Sequence, residues 1–368
     1  MKKSIFFLAA MAIAVSMQAR VAYLVPGQTT EKTEIPTQYR TTTFEHDAYD
    51  WFNTNYVTSG KGDFISFQNI PSDNSTYKAI WIYIDRELIA YDNKTNSGKG
   101  SFTEAEFDNL FSAEVVSALS AYVKAGGNLF LCKQALHLAH RIGRFGGVLG
   151  TVDYKPTYNC GGSSDAARTF VIKALLGSGL AVEKQTDRTN HALFAGLQTS
   201  GDNTSCYPLL TTEAGKLSTD NNIEVVEYFT PNESNSGWAK NPNNNGDKAL
   251  IDGWETYWSA RALATYGHIN DYCFIMAMEL LPTDTYKGTI LTIGAASYQW
   301  GDNAGVGRSN VERLTDNALQ YLNKEEDGPT TMQECVEQDV VNTKFIKDGR
   351  MLIRHGNQYF DVLGNLIK

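Results

Sequence analysis

The chain has 368 residues, of which 41 are acidic and 32 are basic, and its formal net charge is −9. This charge disfavours nucleic acid and anionic membranes as partners, because both are bound through clustered Lys and Arg. The five cysteines are too few for a disulfide-stapled scaffold and no two have metal-ligand spacing, so we expect no metal and no other cofactor.

The N-terminus has the pattern of a secretory signal peptide. Two lysines precede an apolar run from Ile5 to Val15, and small residues follow it. We predict a signal peptide over residues 1–19, cleaved after Ala19 or Ser16. The run has about half of the roughly 20 residues that a spanning helix needs, and no Cys follows it as a lipid acceptor. The mature chain is therefore predicted to be exported to the periplasm, cell surface or medium, without a membrane-spanning segment and not as a lipoprotein.

Three apolar runs in the first 90 residues predict strands, at Val21–Val25, Asp63–Ile70 and Ala79–Ile84. A helical spacing over Phe44–Tyr56 separates the first two. The turn after the first strand has neither the Gly-rich dinucleotide fingerprint nor a phosphate-binding loop, so we predict no nucleotide site there. Asp85, Arg86 and Glu87 follow the third strand, at the edge where open α/β sheets bind ligands.

The range 120–144 predicts a helix, a tight turn, a buried strand and a second helix. A Gly-Gly pair ends the first helix with a left-handed cap. Asn128–Cys132 is apolar without alternation, which is typical of a strand covered on both faces. Lys133 and Gln134 therefore join Asp85 and Arg86 at the carboxyl edge of a predicted parallel sheet.

Later patterns predict the remaining elements of this domain. They are a helix over Asp165–Leu176, an apolar turn over 191–197, strands over Ile223–Phe229, Tyr272–Leu281 and Thr289–Ala296, and a last helix that Ser309 caps. The final strand delivers Tyr298, Gln299 and Trp300 to its carboxyl end. The long polar loop Thr230–Asp247 carries Trp238, and a loop of this length is typical of a functional or disordered segment.

The C-terminus differs in class from the rest of the chain. A polar segment containing Pro and Gly predicts a linker over residues 324–335. Beyond it, apolar and polar residues alternate between turn signals, which predicts a three-stranded β tail over residues 336–368. The organisation is therefore an α/β domain over residues 20–323 followed by a small all-β appendage.

Four segments carry a resemblance to a known family. They are AIWIYIDRE at 79–87, YVKAGGNLFLCKQALHLAHRIGR at 122–144, TILTIGAASYQWGDN with NVERLTDNALQYL within 289–322, and HALFAGL at 191–197. The first three resemble secreted proteins of Gram-negative gut anaerobes of the Bacteroides type that carry a glutamine-amidotransferase-like domain of unknown function. The fourth resembles the His-Pro-Leu-Phe-x-Gly-Leu turn of ThuA-like proteins, with Ala192 in place of the proline.

The resemblance covers about residues 20–323 and implies a doubly wound, flavodoxin-like, mostly parallel sheet. Some of these proteins are encoded with polysaccharide-uptake systems, which points to glycan handling. The tail resembles a short module common on exported proteins of the same bacteria, and it implies partners in the cell envelope.

Cys132 is the sharpest enzymatic candidate, because an amidotransferase keeps its nucleophile at a strand-to-helix Cys, with His137 or His191 as a possible base. A nucleophile elbow needs small flanking residues, however, and here Leu131 and Lys133 flank the cysteine. No histidine in the chain is followed two residues later by Glu. We therefore interpret Cys132 as a buried thiol. Cys160 and Cys206 lie in polar surroundings and could pair after export.

The second helix of the 120–144 stretch carries a cationic arc of about 100°. Its members are His137, His140, Arg141 and Arg144, and Lys133 and Gln134 continue it into the first turn. A solvated or salt-bridged face is the favoured interpretation. A ligand-facing first turn and a metal site remain alternatives, although the metal site has no third ligand. Asp85 and Arg86 either bind a ligand or form ion pairs across the sheet edge, and His191 and His268 are interpreted as structural.

Aromatic residues favour carbohydrate as the ligand, since sugar rings stack on them while amides and carboxylates bind the hydroxyls. The candidates are Trp238, Trp254, Tyr257, Trp258, Tyr298 and Trp300, and burial in the core is the alternative for each. We predict an exported, non-catalytic glycan-binding protein linked to polysaccharide utilisation. The alternatives are a carbohydrate- or amide-acting hydrolase using carboxylates such as Asp85, Glu87 or Asp302, and a structural surface protein without a small ligand.

Overall fold

The fold is that of a computed structural model, in which the chain divides into two units, residues 1–324 and residues 325–368. The structure describes residues 20–37, 42–86, 104–149, 152–154, 157–160, 170–174, 186–201, 205–210, 225–228, 254–265, 275–295, 297–301, 305–324, 343–347, 350–355, 358–360 and 366–367. The strands of the first unit are β1 (Arg20–Leu24), β2 (Gly62–Ile65), β3 (Tyr77–Ile84), β4 (Asn128–Lys133), β5 (Gly147–Leu149), β6 (Val152–Tyr154), β7 (Thr157–Cys160), β8 (Lys173–Ala174), β9 (Thr186–Asp187), β10 (Thr199–Gly201), β11 (Ser205–Pro208), β12 (Val225–Tyr228), β13 (Ala260–Thr265), β14 (Ile275–Leu280) and β15 (Ile290–Ile293). Its helices are α1 (Thr42–Phe52), α2 (Glu104–Leu110), α3 (Ala113–Lys124), α4 (His137–Arg141), α5 (254–258) and α6 (Gly305–Leu322).

A seven-stranded sheet organises the first unit. Its order is β13-β14-β15-β4-β3-β1-β2, and β14 runs opposite to the other six strands. The predicted α/β class with a mostly parallel sheet is confirmed. The parallel strands follow the order of flavodoxin-like sheets, in which the chain changes direction between β1 and β3. The carboxyl ends of β1, β3, β4 and β15 therefore meet at one edge.

Helices cover both faces of this sheet. On one face, Ile80 and Ile82 of β3 share a core with residues of α2, α3 and α4. On the other face, Trp81 and Tyr83 pack among residues of α1 and α6. Residues 79–84 are all fully buried, which explains why the sequence of this strand shows no polar alternation.

Most predicted elements match the structure, and two segments differ. The second predicted strand ends at Ile65, because residues 67–69 form a 3-10 turn. The predicted helix over 165–176 is wrong where the structure describes it. Val171 instead forms an antiparallel bridge to Thr265, and Ile172 donates its N–H to the carbonyl of Cys206 at 2.9 Å. These β-branched residues pair with distant strands, and this tertiary pairing overrides the local helical spacing.

Glycines allow the segment before β15 to contact the turn before β4. Gly126 has a φ of +101° and ends α3 with a left-handed residue, as predicted. A Cβ on Gly288 would lie only 1.9 Å from the carbonyl oxygen of Gly127. The backbone before β15 therefore approaches the turn before β4 more closely than any side chain permits.

Arg144 fixes the start of β13 and the end of β14. Its guanidinium donates to the carbonyls of Trp258 at 2.8 Å, Ser259 at 2.9 Å and Leu281 at 2.6 Å. Burial lowers the pKa of Arg144 to about 10. Arg144 thus belongs to the scaffold and not to a ligand-facing arc.

A buried acid ties β14 to three other elements. Glu279 accepts hydrogen bonds from Arg261 at 2.8 Å and Tyr321 at 2.6 Å. Nε2 of His191 lies 3.7 Å from the Glu279 carboxylate, which is an ion-pair distance and too long for a hydrogen bond. Nδ1 of His191 accepts from the N–H of Leu193 and begins the turn over Ala192–Phe194. His191 is therefore structural, as the sequence analysis interprets it.

The second unit contains four short strands, β16 (Thr343–Lys347), β17 (Arg350–His355), β18 (Gln358–Phe360) and β19 (Leu366–Ile367). They form an antiparallel sheet in sequential order, whereas the sequence predicts three strands. In both units, no helix among the described residues combines the length and the apolarity that crossing a membrane requires.

Replacing Glu279 tests this buried acid. Burial opposes its ionisation, but His191, Arg261 and Tyr321 together outweigh burial and hold the pKa of Glu279 below its usual 4.5. We expect Glu279→Gln to lower the free energy of unfolding by about 3 kcal/mol, because the substitution removes the buried negative charge that Arg261 and His191 face.

Chemical denaturation at several pH values measures this loss. Because the folded pKa is depressed, the contribution of Glu279 is complete above its unfolded pKa of 4.5 and is lost as the pH falls through the lower folded value. Glu312→Gln is the matched control: in its ion pair with Arg308 the acid is 38 % exposed, and the expected change is below about 1 kcal/mol. Equal losses in the two variants would contradict the assignment.

Candidate functional site

Four predicted site residues meet at the carboxyl edge of the sheet. Asp85 and Arg86 follow β3, and Lys133 and Gln134 lie at the end of β4; all four are at most 5 % exposed. The pairing of Ile84 with Lys133 brings the two strand ends side by side. The prediction that these residues come together at one edge therefore agrees with the structure.

Arg86 forms a buried ion pair, one of the two alternatives that the sequence analysis offers, with a partner that it does not name, Glu45. Glu45 of α1 is fully buried and accepts from Nε of Arg86 at 3.0 Å and from a terminal nitrogen at 3.3 Å. The same carboxylate accepts the backbone N–H of Asp85 at 3.0 Å. Burial raises the pKa of Glu45, although the charge of Arg86 and its hydrogen bonds oppose this effect. Glu45 thereby links α1 to the end of β3 across the point where the sheet changes direction.

Gln134 supports the site from the side of β4. Its side-chain oxygen accepts the N–H of Arg86 at 3.0 Å, and its side-chain nitrogen donates to the carbonyl of Arg86 at 3.3 Å. Both ends of the amide are used in this way. Gln134 therefore holds the backbone of residue 86, and its predicted contact with a ligand stays a prediction.

Asp85 and Lys133 form a second buried pair. Nζ of Lys133 lies 3.7 Å from Oδ2 of Asp85 and 3.4 Å from the carbonyl oxygen of Ala295, which follows β15. Tyr83 donates its hydroxyl to Oδ2 of Asp85 at 2.8 Å. Burial and the Asp85 carboxylate raise the pKa of Tyr83 well above its usual value, so the hydroxyl remains a donor. Both acids at this edge thus face a cation.

Lys133 has the backbone of an elbow. Its φ of 57° and ψ of −129° lie in a region that residues other than glycine rarely adopt. The residue joins β4 to the 3-10 turn Gln134–Leu136, which leads into α4. A strained strand-to-helix turn is where enzymes of this general architecture present a nucleophile. The position is held here by lysine, one residue after the cysteine.

Cys132 is the last core residue of β4. It is fully buried, and Nε1 of Trp81 donates to its sulfur at 3.4 Å. Burial raises the pKa of Cys132 far above its usual value, so the group is a thiol at neutral pH and not the reactive thiolate. His137 contacts the ring of Phe107, on the opposite face of the sheet. The interpretation of Cys132 as a buried thiol agrees with this geometry.

The cationic arc after β4 resolves into structural contacts. Arg141 forms an ion pair with Asp108 at 3.0 Å, and Nδ1 of His140 lies 3.1 Å from the carbonyl oxygen of Phe145. Within the described part of the chain, no group of three metal-ligating side chains occurs. Of the interpretations offered from the sequence, the salt-bridged face fits these contacts. Cys206 is a free thiol in this structure, and its pairing with Cys160 after export stays a prediction.

Burial removes three aromatic residues from the predicted sugar platform. Trp254, Tyr298 and Trp300 are fully buried. The chain after β15 turns back beneath α6, where the hydroxyl of Tyr298 bonds to Thr315. The ring of Trp300 packs against Trp81 with centroids 5.7 Å apart. The prediction of a stacking surface at Tyr298 and Trp300 is therefore wrong, because both rings complete the core.

The two aromatic groups also lie at opposite ends of the sheet. Trp254, Tyr257 and Trp258 precede β13, whose first residue, Ala260, pairs with Leu280 at the amino ends of the parallel strands. Tyr257 is 47 % exposed but is remote from the carboxyl edge. Gln299 is buried at the predicted edge. Four further candidates lie outside the described residues, namely Glu87, Trp238, His268 and Asp302.

Comparison with known proteins adds little to this geometry. No protein-family model matches the chain, and no curated protein matches it. A thua-like protein from Bacteroides uniformis ATCC 8492 is 15% identical, with a TM-score of 0.35, over 86% of this chain and 95% of that protein. An exo-beta-1,4-mannosidase from Opitutaceae bacterium strain TAV5 is 9% identical, with a TM-score of 0.32, over 83% of this chain. The chain spans 35% of the length of that mannosidase.

Alanine and glycine at position 133 test the elbow. Alanine is normally more stable than glycine by about 0.5–1 kcal/mol, but a positive φ reverses this order. We expect Lys133→Gly to be more stable than Lys133→Ala by about 1 kcal/mol, measured by chemical denaturation. Both variants lose the same ion pair, so their difference isolates the backbone. Lys124, at the exposed end of α3, is the control position, where alanine should be the more stable. The same order at both positions would argue against the elbow.

Proposed function

We propose that this chain is an exported protein that binds a neutral carbohydrate at the carboxyl edge of a flavodoxin-like sheet and does not act through a cysteine nucleophile. The observation that carries the proposal is the buried Asp85–Lys133 pair, which places a carboxylate acceptor and an ammonium donor at this edge. Open α/β sheets bind their ligands outside the carboxyl ends of the strands, next to the point where the strand order reverses. The pair lies at the ends of β3 and β4, beside that point.

The charge balance of the site favours a neutral, hydroxyl-rich ligand. In their ionised forms Glu45, Asp85, Arg86 and Lys133 sum to zero, so the site has no net attraction for a phosphate or a carboxylate. A hydroxyl both donates and accepts, and adjacent acceptor and donor groups satisfy both roles. The formal charge of −9 on the whole chain further opposes anionic ligands.

The state of Cys132 argues against an amidotransferase. An acyl-transfer nucleophile must be exposed and ionised or paired with a base. Cys132 is a buried thiol with Trp81 as its donor, and the elbow beside it holds Lys133. The described histidines nearest in sequence, His137 and His140, are engaged on the α4 side of the sheet. Binding without covalent chemistry therefore fits this arrangement better than acyl transfer does.

Export and the link to polysaccharide utilisation rest on the sequence. Residues 1–19 have the pattern of a cleaved signal peptide, and the resemblance to secreted proteins of gut anaerobes points to glycan uptake. With Tyr298 and Trp300 in the core, hydrogen bonds from polar side chains carry recognition in this proposal. Trp238 remains the predicted stacking residue, and the tail at 336–368 is the part proposed to contact the cell envelope.

A calorimetric titration of the full chain with neutral hexasaccharides tests this function. The ligands to be titrated are cellohexaose, xylohexaose, mannohexaose and chitohexaose. We expect at least one of them to bind. Asp85→Asn and Lys133→Met should each weaken that binding about 10- to 100-fold, since a hydrogen bond to a charged group contributes about 1.5–3 kcal/mol. Cys132→Ser should leave the affinity unchanged.

The exposed pair formed by Lys32 and Asp50 supplies matched controls, because Asp50→Asn and Lys32→Met make the same chemical changes on the surface. Both controls should keep the affinity of the unmodified chain. Reducing-sugar and ammonia assays run in parallel. Release of reducing ends would favour a hydrolase, and release of ammonia from glutamine that Cys132→Ser abolishes would favour an amidotransferase. Failure of every hexasaccharide to bind would contradict the proposal.

A further inference from the structure

The structure assigns a positioning role to Glu45 and Gln134: together they hold residues 85 and 86 so that the Asp85 carboxylate faces the ligand. This inference rests on the function proposed above, in which Asp85 and Lys133 contact the sugar. Neither Glu45 nor Gln134 is itself placed in contact with the ligand.

The side chains of Glu45 and Gln134 bond to backbone N–H groups that lie beyond the end of β3. β3 ends at Ile84, so the next two backbone N–H groups lie beyond its strand. The N–H of Asp85 is bound by Glu45, and the N–H of Arg86 is bound by Gln134, both at 3.0 Å. One group comes from α1 and the other from the end of β4. Residues 85 and 86 are therefore held by hydrogen bonds from α1 on one side and from the end of β4 on the other. We call the side chains of Glu45 and Gln134 the clamp.

The clamp orients the Asp85 side chain. With its backbone held by Glu45, Asp85 directs Oδ2 toward the hydroxyl of Tyr83 and toward Nζ of Lys133. Recognition sites require their contacting groups to be held within about 0.5 Å of the productive geometry by supporting residues. A small shift of the backbone at residue 85 would therefore misplace the carboxylate for a ligand hydroxyl.

Stability alone does not account for the Glu45–Arg86 pair. Both side chains are almost completely buried, at 0 % and 4 % exposure. Removing two charges from water costs as much as their attraction returns, and apolar residues of the same volume are often equally stable or better. In this inference, the charged pair at the edge proposed to bind the ligand serves to fix the geometry of Asp85.

Acid should loosen the clamp. The groups that face Glu45 are the guanidinium of Arg86, the carboxylate and N–H of Asp85 and, from β1, the hydroxyl of Tyr23. Protonation of Glu45 would remove the charge that holds Arg86, while its oxygen would still accept from Asp85. A purely structural Glu45 would change the melting temperature but would leave the pH dependence of ligand affinity unaltered.

Two substitutions test the inference in the full chain. Gln134→Leu removes both bonds to the Arg86 backbone, and Gln134→Glu keeps the acceptor while removing the donor, in case the leucine variant does not fold. We expect hydrogen exchange in the peptide carrying residues 85 and 86 to accelerate at least about tenfold, and the affinity for the best-bound hexasaccharide to fall about tenfold. Gln320→Leu, an exposed glutamine on α6, is the control and should change neither.

Glu45→Gln supplies the second measurement. In the unmodified chain, affinity should fall as the pH is lowered through the pKa of Glu45, which burial raises above its usual value, because protonation removes the charge that holds Arg86. Glu45→Gln should bind about tenfold more weakly at neutral pH and show a flat profile, since the charge is already lost. Asp85→Asn provides the comparison for any titration of Asp85 itself.

The outcomes separate the two proposals. If the unmodified chain binds no hexasaccharide, the proposed function fails and the positioning role fails with it. If the unmodified chain binds, but Gln134 variants with accelerated exchange keep full affinity, only the positioning role is overturned. An unchanged pH profile in Glu45→Gln would overturn the role of Glu45.

Discussion

Coverage of both faces of the central sheet is the constraint on which the rest of this structure depends. Because α2, α3 and α4 bury one face and α1 and α6 bury the other, β3 is apolar over residues 79–84 and β4 over residues 129–132. The polar and charged side chains lie at the strand ends instead, where Asp85, Arg86, Lys133 and Gln134 converge. Even there the charges are buried, so each requires a partner, and the site is a set of mutually satisfied groups.

The sequence predicts the framework well because its signals are local. A continuous apolar run identifies β3 and β4 as doubly covered strands, and parallel topology then brings Asp85 and Lys133 to one edge. The role of Gln134 was not predictable, because its partner is the backbone of a residue 48 positions away. Glu45 carried a usable signal: it stands four and seven residues before Tyr49 and Phe52, on the apolar stripe of α1. A carboxylate on such a stripe requires a buried cation.

The aromatic residues show where composition misleads. Trp300 and Tyr298 follow a strand that ends at the ligand edge, yet the path of the chain after β15 carries both rings beneath α6. Nothing within the local sequence marks that reversal, which depends on close packing: a Cβ on Gly301 would lie 1.7 Å from the ring of Phe44. Position relative to a strand therefore predicts which edge of the sheet a residue lies near, but not whether its side chain faces solvent.

The offset of one residue between Cys132 and the elbow at Lys133 separates two chemistries that a short motif would confuse. Side chains alternate between faces along a strand, so Cys132 directs its sulfur into the core, while the unusual backbone of Lys133, the last residue of β4, directs the ammonium toward Asp85 and Ala295. A motif search that aligns on the cysteine would place an acyl-transfer nucleophile inside hydrophobic packing against Trp81. For a protein engineer, position 132 is consequently a core position to leave unchanged, whereas position 133 is the turn residue whose backbone a glycine would relax.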